Sequence, residues 1–233
     1  MSAMARSYPE EVESVYVWEL PVRLTHWLIV FSILVLSGTG YYIGHPFISV
    51  PGQARYHFVM GTMRAVHFYA AIVFTLSVLV RLYWMIAGNE YARLSQFIPL
   101  SRERLLSLWH TFEFYSFLRR DPVEYPGHNA LAAASYGFIQ LVYLVMVATG
   151  LALYTAIASA NSPFQVFQFL IPLFDGLQMA RLIHHIGMWI ILVFVVAHLY
   201  FITLASIIER NGTIDSIFCG YKTMPRRKPI SGD

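Results

Sequence analysis

Four histidines stand in or at the ends of long apolar stretches: His26, His67, His184 and His198. An ionisable side chain is costly there, so each raises a functional hypothesis by position alone. His184 and His198 are 14 residues apart. On a helix that is a rise of roughly 21 Å, and the steps of 100° bring the second side chain back to within about 40° of the first. The two imidazoles therefore project from one face near opposite membrane surfaces, whereas His185, 13 residues before His198, projects elsewhere. His26 matches His198 in depth at one surface, and His67 matches His184 at the other. Two imidazoles from different helices, facing across a bundle, suit the axial positions of a heme. Zinc usually takes three or four ligands, and no Cys, Asp or Glu stands near these histidines in the apolar stretches. The spacing predicts two stacked b-type hemes. With two protein ligands on each iron, such a site carries electrons and has no open position for oxygen.

A second pattern concerns what surrounds such a group. Arg23-Leu-Thr-His26, Arg64-Ala-Val-His67 and Arg181-Leu-Ile-His184 each place an arginine three residues before a histidine, on the surface side. Arginine is the natural bidentate partner of a carboxylate, and heme propionates point to the surface. The 14-residue step leads from His26 to Gly40 and from His67 to Arg81. Gly40 is thus expected level with the outer heme, leaving room for the porphyrin, and Arg81 level with the inner one. Close helix packing alone also accounts for glycines in membrane spans. His45, His57, His110 and His128 fall in loops or at interfaces.

The elements that position these residues are membrane spans. The 233 residues are 57% hydrophobic and only 12% charged, against roughly 25% charged in a soluble domain. The mean hydropathy is +0.55. A net charge of +3 and a single cysteine, Cys219, give no grounds for nucleic-acid binding and exclude an internal disulfide or a Cys-ligated cluster. Residues 1–20 hold Arg6, Glu10, Glu11, Glu13 and Glu19 and no apolar region, so no cleavable signal is expected. Stretches of about 20 apolar residues mark spans, here 27–44, 65–87, 130–158 and 186–208. The expected fold is all-α: a four-helix membrane bundle forming one domain, 1–233. Both termini then share a side. Twelve Lys and Arg flank the spans on that side against three on the other, which assigns both termini to the cytoplasm. Ser101–Arg120 reads as an amphipathic helix, and Pro163–Phe174 as an interfacial segment too short to span.

The runs Arg23-Leu-Thr-His26-Trp27 and Ser37-Gly38-Thr39-Gly40 resemble the first-span signature of the cytochrome b subunit of membrane-bound nickel–iron hydrogenases. His184-His185-Ile186, with Trp189, Phe194 and His198, resembles the fourth-span signature of that family. Arg64-Ala-Val-His67-Phe68 and Gly127-His128-Asn129 also fit, and the likeness runs from about Tyr8 to Tyr221. The resemblance implies a diheme anchor in the bacterial inner membrane. It would bind the iron–sulfur small subunit of a hydrogenase, and through it the large subunit, on the periplasmic side, and pass electrons to membrane quinone on the cytoplasmic side. It assigns His67 and His184 to the outer heme, His26 and His198 to the inner one. It implies no hydrogen-activating site on this chain.

A quinone site is expected by the inner heme, with His128, Asn129 and Glu113 as candidates to hydrogen-bond a quinone carbonyl or relay protons. Helix capping at the start of the third span is the simpler account of His128 and Asn129. Two rivals keep the hemes and change the partner: the cytochrome b subunit of a formate dehydrogenase, and a free-standing b561-type cytochrome. A metal or proton transporter would need acidic residues within the spans, and none of the four contains one.

Overall fold

The computed structural model describes residues 12–48, 58–94, 106, 109, 110, 113, 130–209 and 212–225. Four long helices dominate: α1 (Leu20–Gly44), α2 (Val59–Ala87), α3 (Ala130–Thr155) and α4 (Leu177–Glu209). Each is long and apolar enough to cross a membrane. Their outward faces carry exposed Leu34, Leu76, Ile86, Leu141, Val193 and Val196, a surface that only lipid can solvate without cost. α1 packs along α2 and α3 along α4, giving two antiparallel helix pairs. Gly187 is buried against α3: a Cβ there would collide with the Met146 thioether, so the bare α-carbon gives that side chain its place between the two helices.

All four helices contribute to one mid-bundle core of Ile29, Ile33, Phe74, Val78, Ile139, Tyr143 and Ile191. Phe74 and Tyr143 meet edge to face, with centroids 5.2 Å apart. In sequence these residues fall between the two histidine levels on each helix, so an apolar slab separates the two ends of the bundle.

Three helices begin earlier than the apolar blocks predict, by 7 residues in α1, 6 in α2 and 9 in α4, while α3 ends at Thr155 and not at 158. A hydropathy block reports only the lipid-embedded part. The helices continue into the interface, carrying Arg23, Arg64 and Arg181 within their first two turns. Pro21 stands at the start of α1, where a missing N–H costs nothing. At the end of α3 the Gln165 amide shares its two protons among the carbonyls of Thr155, Ala158 and Ser159, at 3.1, 3.1 and 3.2 Å, capping the open Thr155 acceptor and the loop that follows.

The segment after α3 forms a 3₁₀ helix, Pro163–Phe169, and a helical turn, Leu170–Leu173. Leu170 buries against Ala152 and Ala180, so the expected interfacial segment covers the adjoining ends of α3 and α4. The chain is mostly helical, but the all-α expectation needs one correction. β1 (Val12–Tyr16) pairs antiparallel with β2 (Tyr221–Pro225), Tyr16 opposite Tyr221, after the short helix α5 (Thr213–Cys219). Five-residue strands leave too weak an alternation to read beside four spans. The ladder holds the two terminal segments together at one end of the bundle. Gly220 makes the turn possible: its φ is +92°, and a Cβ would meet Tyr16 Cε2 at 2.5 Å. At the same end Glu19 Oε2 accepts from Trp84 Nε1 at 2.8 Å and from the backbone N–H of Asn89 at 2.9 Å, tying the start of α1 to the end of α2. Of the expected amphipathic helix only Leu106, Trp109, His110 and Glu113 are described, and these are helical.

Candidate functional site

The histidines gather at two levels. At the end that carries the β ladder, His26 of α1 faces His198 of α4 with ring centroids 6.4 Å apart. Two imidazoles bound to one metal through bonds of about 2 Å, with roughly 1.1 Å more from nitrogen to ring centre on each side, have centroids about 6.3 Å apart. The observed separation therefore suits a pair sharing one iron. Phe194 stacks on His198 at 5.7 Å and 14°, and Tyr136 meets it edge-on at 6.0 Å. Arg81 lies within electrostatic range of His26 and of Tyr136, at the level its 14-residue offset from His67 predicts. Arg23 donates through Nη1 to the Phe218 carbonyl, while its buried Nε has no partner. An orphaned guanidinium N–H three residues before His26 on the same helix fits the propionate edge of a heme.

At the opposite end His67 of α2 and His184 of α4 lie within electrostatic range of each other. Each leans on a Thr-Gly dipeptide of the neighbouring helix. His67 Nδ1 is 2.9 Å from Thr39 Oγ1, and His184 Nδ1 is 2.8 Å from Thr149 Oγ1. A Cβ on Gly40 would stand 3.1 Å from His67 Cε1, and one on Gly150 would stand 3.4 Å from His184 Cε1. The missing side chains let the imidazole rings seat against α1 and α3. Gly40 thus has the expected depth, but its bare face meets the ring of His67.

His185 takes another direction. Its Nδ1–H donates to the Arg181 carbonyl at 2.8 Å, and its Nε2 stands 2.8 Å from where a Cβ of Gly44 would be. Arg181 is exposed and donates to Gln178 Oε1 at 2.6 Å; Arg64 is exposed one turn before His67. Of the quinone candidates, Glu113 pairs with His110 at 3.4 Å, while His128 and Asn129 lie outside the described residues. Sequence reasoning missed Thr39, Thr149, Tyr136 and Gly150 as neighbours of the histidines. The available signal was the Thr-Gly dipeptide, which recurs on the first and third spans.

Four apolar helices of membrane-spanning length, with histidines gathered at two levels between them, define a multi-pass membrane protein. Residues 17–220 match the family described as Prokaryotic cytochrome b561, and the chain belongs to that family. A b-type cytochrome carries heme b. Three similar proteins share one kind of name. "Probable Ni/Fe-hydrogenase B-type cytochrome subunit" of Rhizobium leguminosarum bv. viciae is 38% identical, covering 94% of this chain and 92% of that protein. The protein of that name from Azotobacter vinelandii is 37% identical, covering 93% and 91%. "Probable Ni/Fe-hydrogenase 1 B-type cytochrome subunit" of Escherichia coli (strain K12) is 38% identical, covering 92% and 93%.

Proposed function

We propose that this chain is the diheme membrane subunit of a nickel–iron hydrogenase complex in a bacterial inner membrane. It anchors the hydrogenase, whose iron–sulfur small subunit docks at the His67–His184 end and carries the large subunit, on the periplasmic side. Electrons enter at that outer end, pass to the His26–His198 end, and leave to membrane quinone on the cytoplasmic side. The names of its relatives support the partner, and the excess of Lys and Arg on the terminal side supports the orientation. Hydrogen activation stays with the partner, and residues 1–233 act as a single membrane domain.

Heme, when bound, supplies a one-electron couple at each level. The chain's own residues do the rest. His26 with His198, and His67 with His184, hold the irons. Arg23, Arg64 and Arg181 neutralise carboxylates at the surface, and Arg81 places a cation beside the inner pair. The mid-bundle slab excludes water and ions, so that only electrons cross. Quinone is taken up by the inner pair, with His128, Asn129 and Glu113 as candidate contacts.

The observation that carries the proposal is the 6.4 Å approach of His26 and His198, together with a second, separate pair on the same helix spacing. A visible spectrum of the purified protein tests it. Bis-histidine heme b bands, two hemes per chain, and reduction by hydrogen when the partner is present are expected. A featureless spectrum would sink the proposal. Two hemes reduced by formate and not by hydrogen would transfer the chain to the formate dehydrogenase reading.

A further inference from the structure

We propose that Thr39 and Thr149 are positioning residues. They fix the outer histidines, His67 and His184, in one tautomer and aim Nε2 of each toward a shared iron. The inference rests on the diheme reading above and adds to it two residues and a direction of electronic tuning.

A threonine hydroxyl has one proton. Thr39 Oγ1 lies 2.7 Å from the Val35 carbonyl and 3.4 Å from that of Leu36. Thr149 Oγ1 lies 2.7 Å from the Val145 carbonyl and 3.2 Å from that of Met146. A carbonyl only accepts, so each hydroxyl proton is committed to the preceding turn of its own helix. The remaining lone pairs face the histidines, and in both contacts Nδ1 must be the donor. An imidazole that carries its proton on Nδ1 has a bare Nε2, the form that binds a metal. Thr149 is fully buried and Thr39 nearly so, so water does not compete for either bond.

The same device is built twice. α1 offers Thr39 and Gly40 to His67 of α2, and α3 offers Thr149 and Gly150 to His184 of α4. In each case the threonine accepts from the ring and the adjacent glycine gives the ring its seat. Backbone back-bonding alone accounts for a threonine in a membrane helix, but not for two imidazoles bonded in the same manner from opposite sides of the bundle. The inner pair is built differently: among the described residues His26 and His198 are packed by aromatic rings and no hydrogen bond reaches their ring nitrogens. An acceptor on Nδ1 raises the basicity of the ligating nitrogen. That favours oxidised over reduced iron and lowers the outer potential relative to the inner, which makes electron flow from the outer to the inner level downhill.

The test uses Thr39→Val and Thr149→Val, which keep the shape and remove the hydroxyl acceptor while the Leu36 and Met146 carbonyls that also approach the rings stay in place, beside Thr39→Ser and Thr149→Ser, which keep the hydroxyl. Heme per chain is counted and both centres are titrated electrochemically in the purified protein. Each valine variant is expected to raise the outer potential by about a tenfold change in its reduction equilibrium, or 59 mV for one electron. The inner potential should hold, and the serine variants should behave as wild type. Valine variants with two hemes and unchanged potentials would overturn the proposal, as would an equal shift of both centres in valine and serine variants alike. Fewer than two hemes in the wild type would refute the diheme reading itself. If neither valine variant accumulates, proton NMR of the reduced wild type decides. Nδ1 protons of His67 and His184 that are shifted downfield and slow to exchange support the assignment; solvent-like, fast-exchanging signals overturn it.

Discussion

Gly40 offers a graded test of how closely the outer site is built. Substitution by Ala puts a methyl 3.1 Å from His67 Cε1 and 3.7 Å from Nδ1. Ordinary carbon contact begins a few tenths of an ångström further out, so the imidazole must shift by about that much. Ala also gains roughly 0.5–1 kcal/mol over Gly in a helix interior. Against this stands an overpacking cost of about 1–3 kcal/mol, near its low end for so small a shift, and the net change in stability is within about 1 kcal/mol of zero. Gly150→Ala meets His184 at 3.4 Å, needs no shift, and keeps the whole helix gain. Gly40→Leu adds three more carbons on the same line and leaves His67 no seat. The expected order is therefore Gly150→Ala as stable as wild type or more so, Gly40→Ala with two hemes and a perturbed outer potential, and Gly40→Leu with about one heme per chain. The surviving centre in Gly40→Leu should keep the inner potential, because His26 and His198 lie beyond the apolar core. Heme-to-protein ratio, redox titration and thermal unfolding in detergent read all three. Two intact hemes in Gly40→Leu would refute the reasoning. So would loss of both hemes together with the protein, which would make Gly40 a packing residue of the whole bundle.

His184→Ala or His67→Ala is expected to remove the outer heme and abolish hydrogen-to-quinone activity in membranes while the partner still reduces a soluble dye; equal loss of both activities would point to failed assembly. His185→Ala should keep both hemes, since that ring bonds its own helix at Arg181, and heme content per chain checks it. Glu19→Ala removes the acceptor of two bonds, from Trp84 and Asn89. Bonds to charged groups contribute about 1.5–3 kcal/mol each, and partial exposure lowers that here, so a loss of about 2 kcal/mol is expected in detergent unfolding with heme content unchanged. Gly187→Val drives a branched side chain into the flexible Met146 thioether, which must turn aside, so a loss of about 1–3 kcal/mol is expected in detergent unfolding, with both hemes kept.

How much of this was legible in the sequence differs by element. The four spans were, because apolar blocks of that length mark membrane helices, and so was the different direction of the His184 and His185 side chains, which follows from helical angle alone. The meeting of His26 with His198 followed from depth. The helix starts were not legible, since the first turns of α1, α2 and α4 are polar enough to read as loops. Nor was the partner of Arg23: the Phe218 carbonyl belongs to a segment 195 residues away, brought there by a strand pairing too short to leave a pattern. Thr39 and Thr149 were hidden for another reason. A Thr-Gly pair in an apolar helix has the composition of ordinary close packing, and only the neighbouring helix reveals that the hydroxyl faces a ring nitrogen.

The apolar slab between the two histidine levels has an electrical consequence. Ile29, Ile33, Phe74, Val78, Ile139, Tyr143 and Ile191 form a dry partition with no formal charge, so a voltage across the membrane falls largely over it. One elementary charge moved through the full potential is worth about 2.3 kcal/mol per 100 mV. The levels are about 21 Å apart along the helices in a hydrocarbon core of about 30 Å, which makes the share between them roughly 1.6 kcal/mol per 100 mV. On the proposed path, with the His67–His184 end outermost, each electron moved inward across this partition in a cell with a negative interior works against the field. The downhill step proposed between the two centres would then set the membrane voltage at which the flow of electrons stalls.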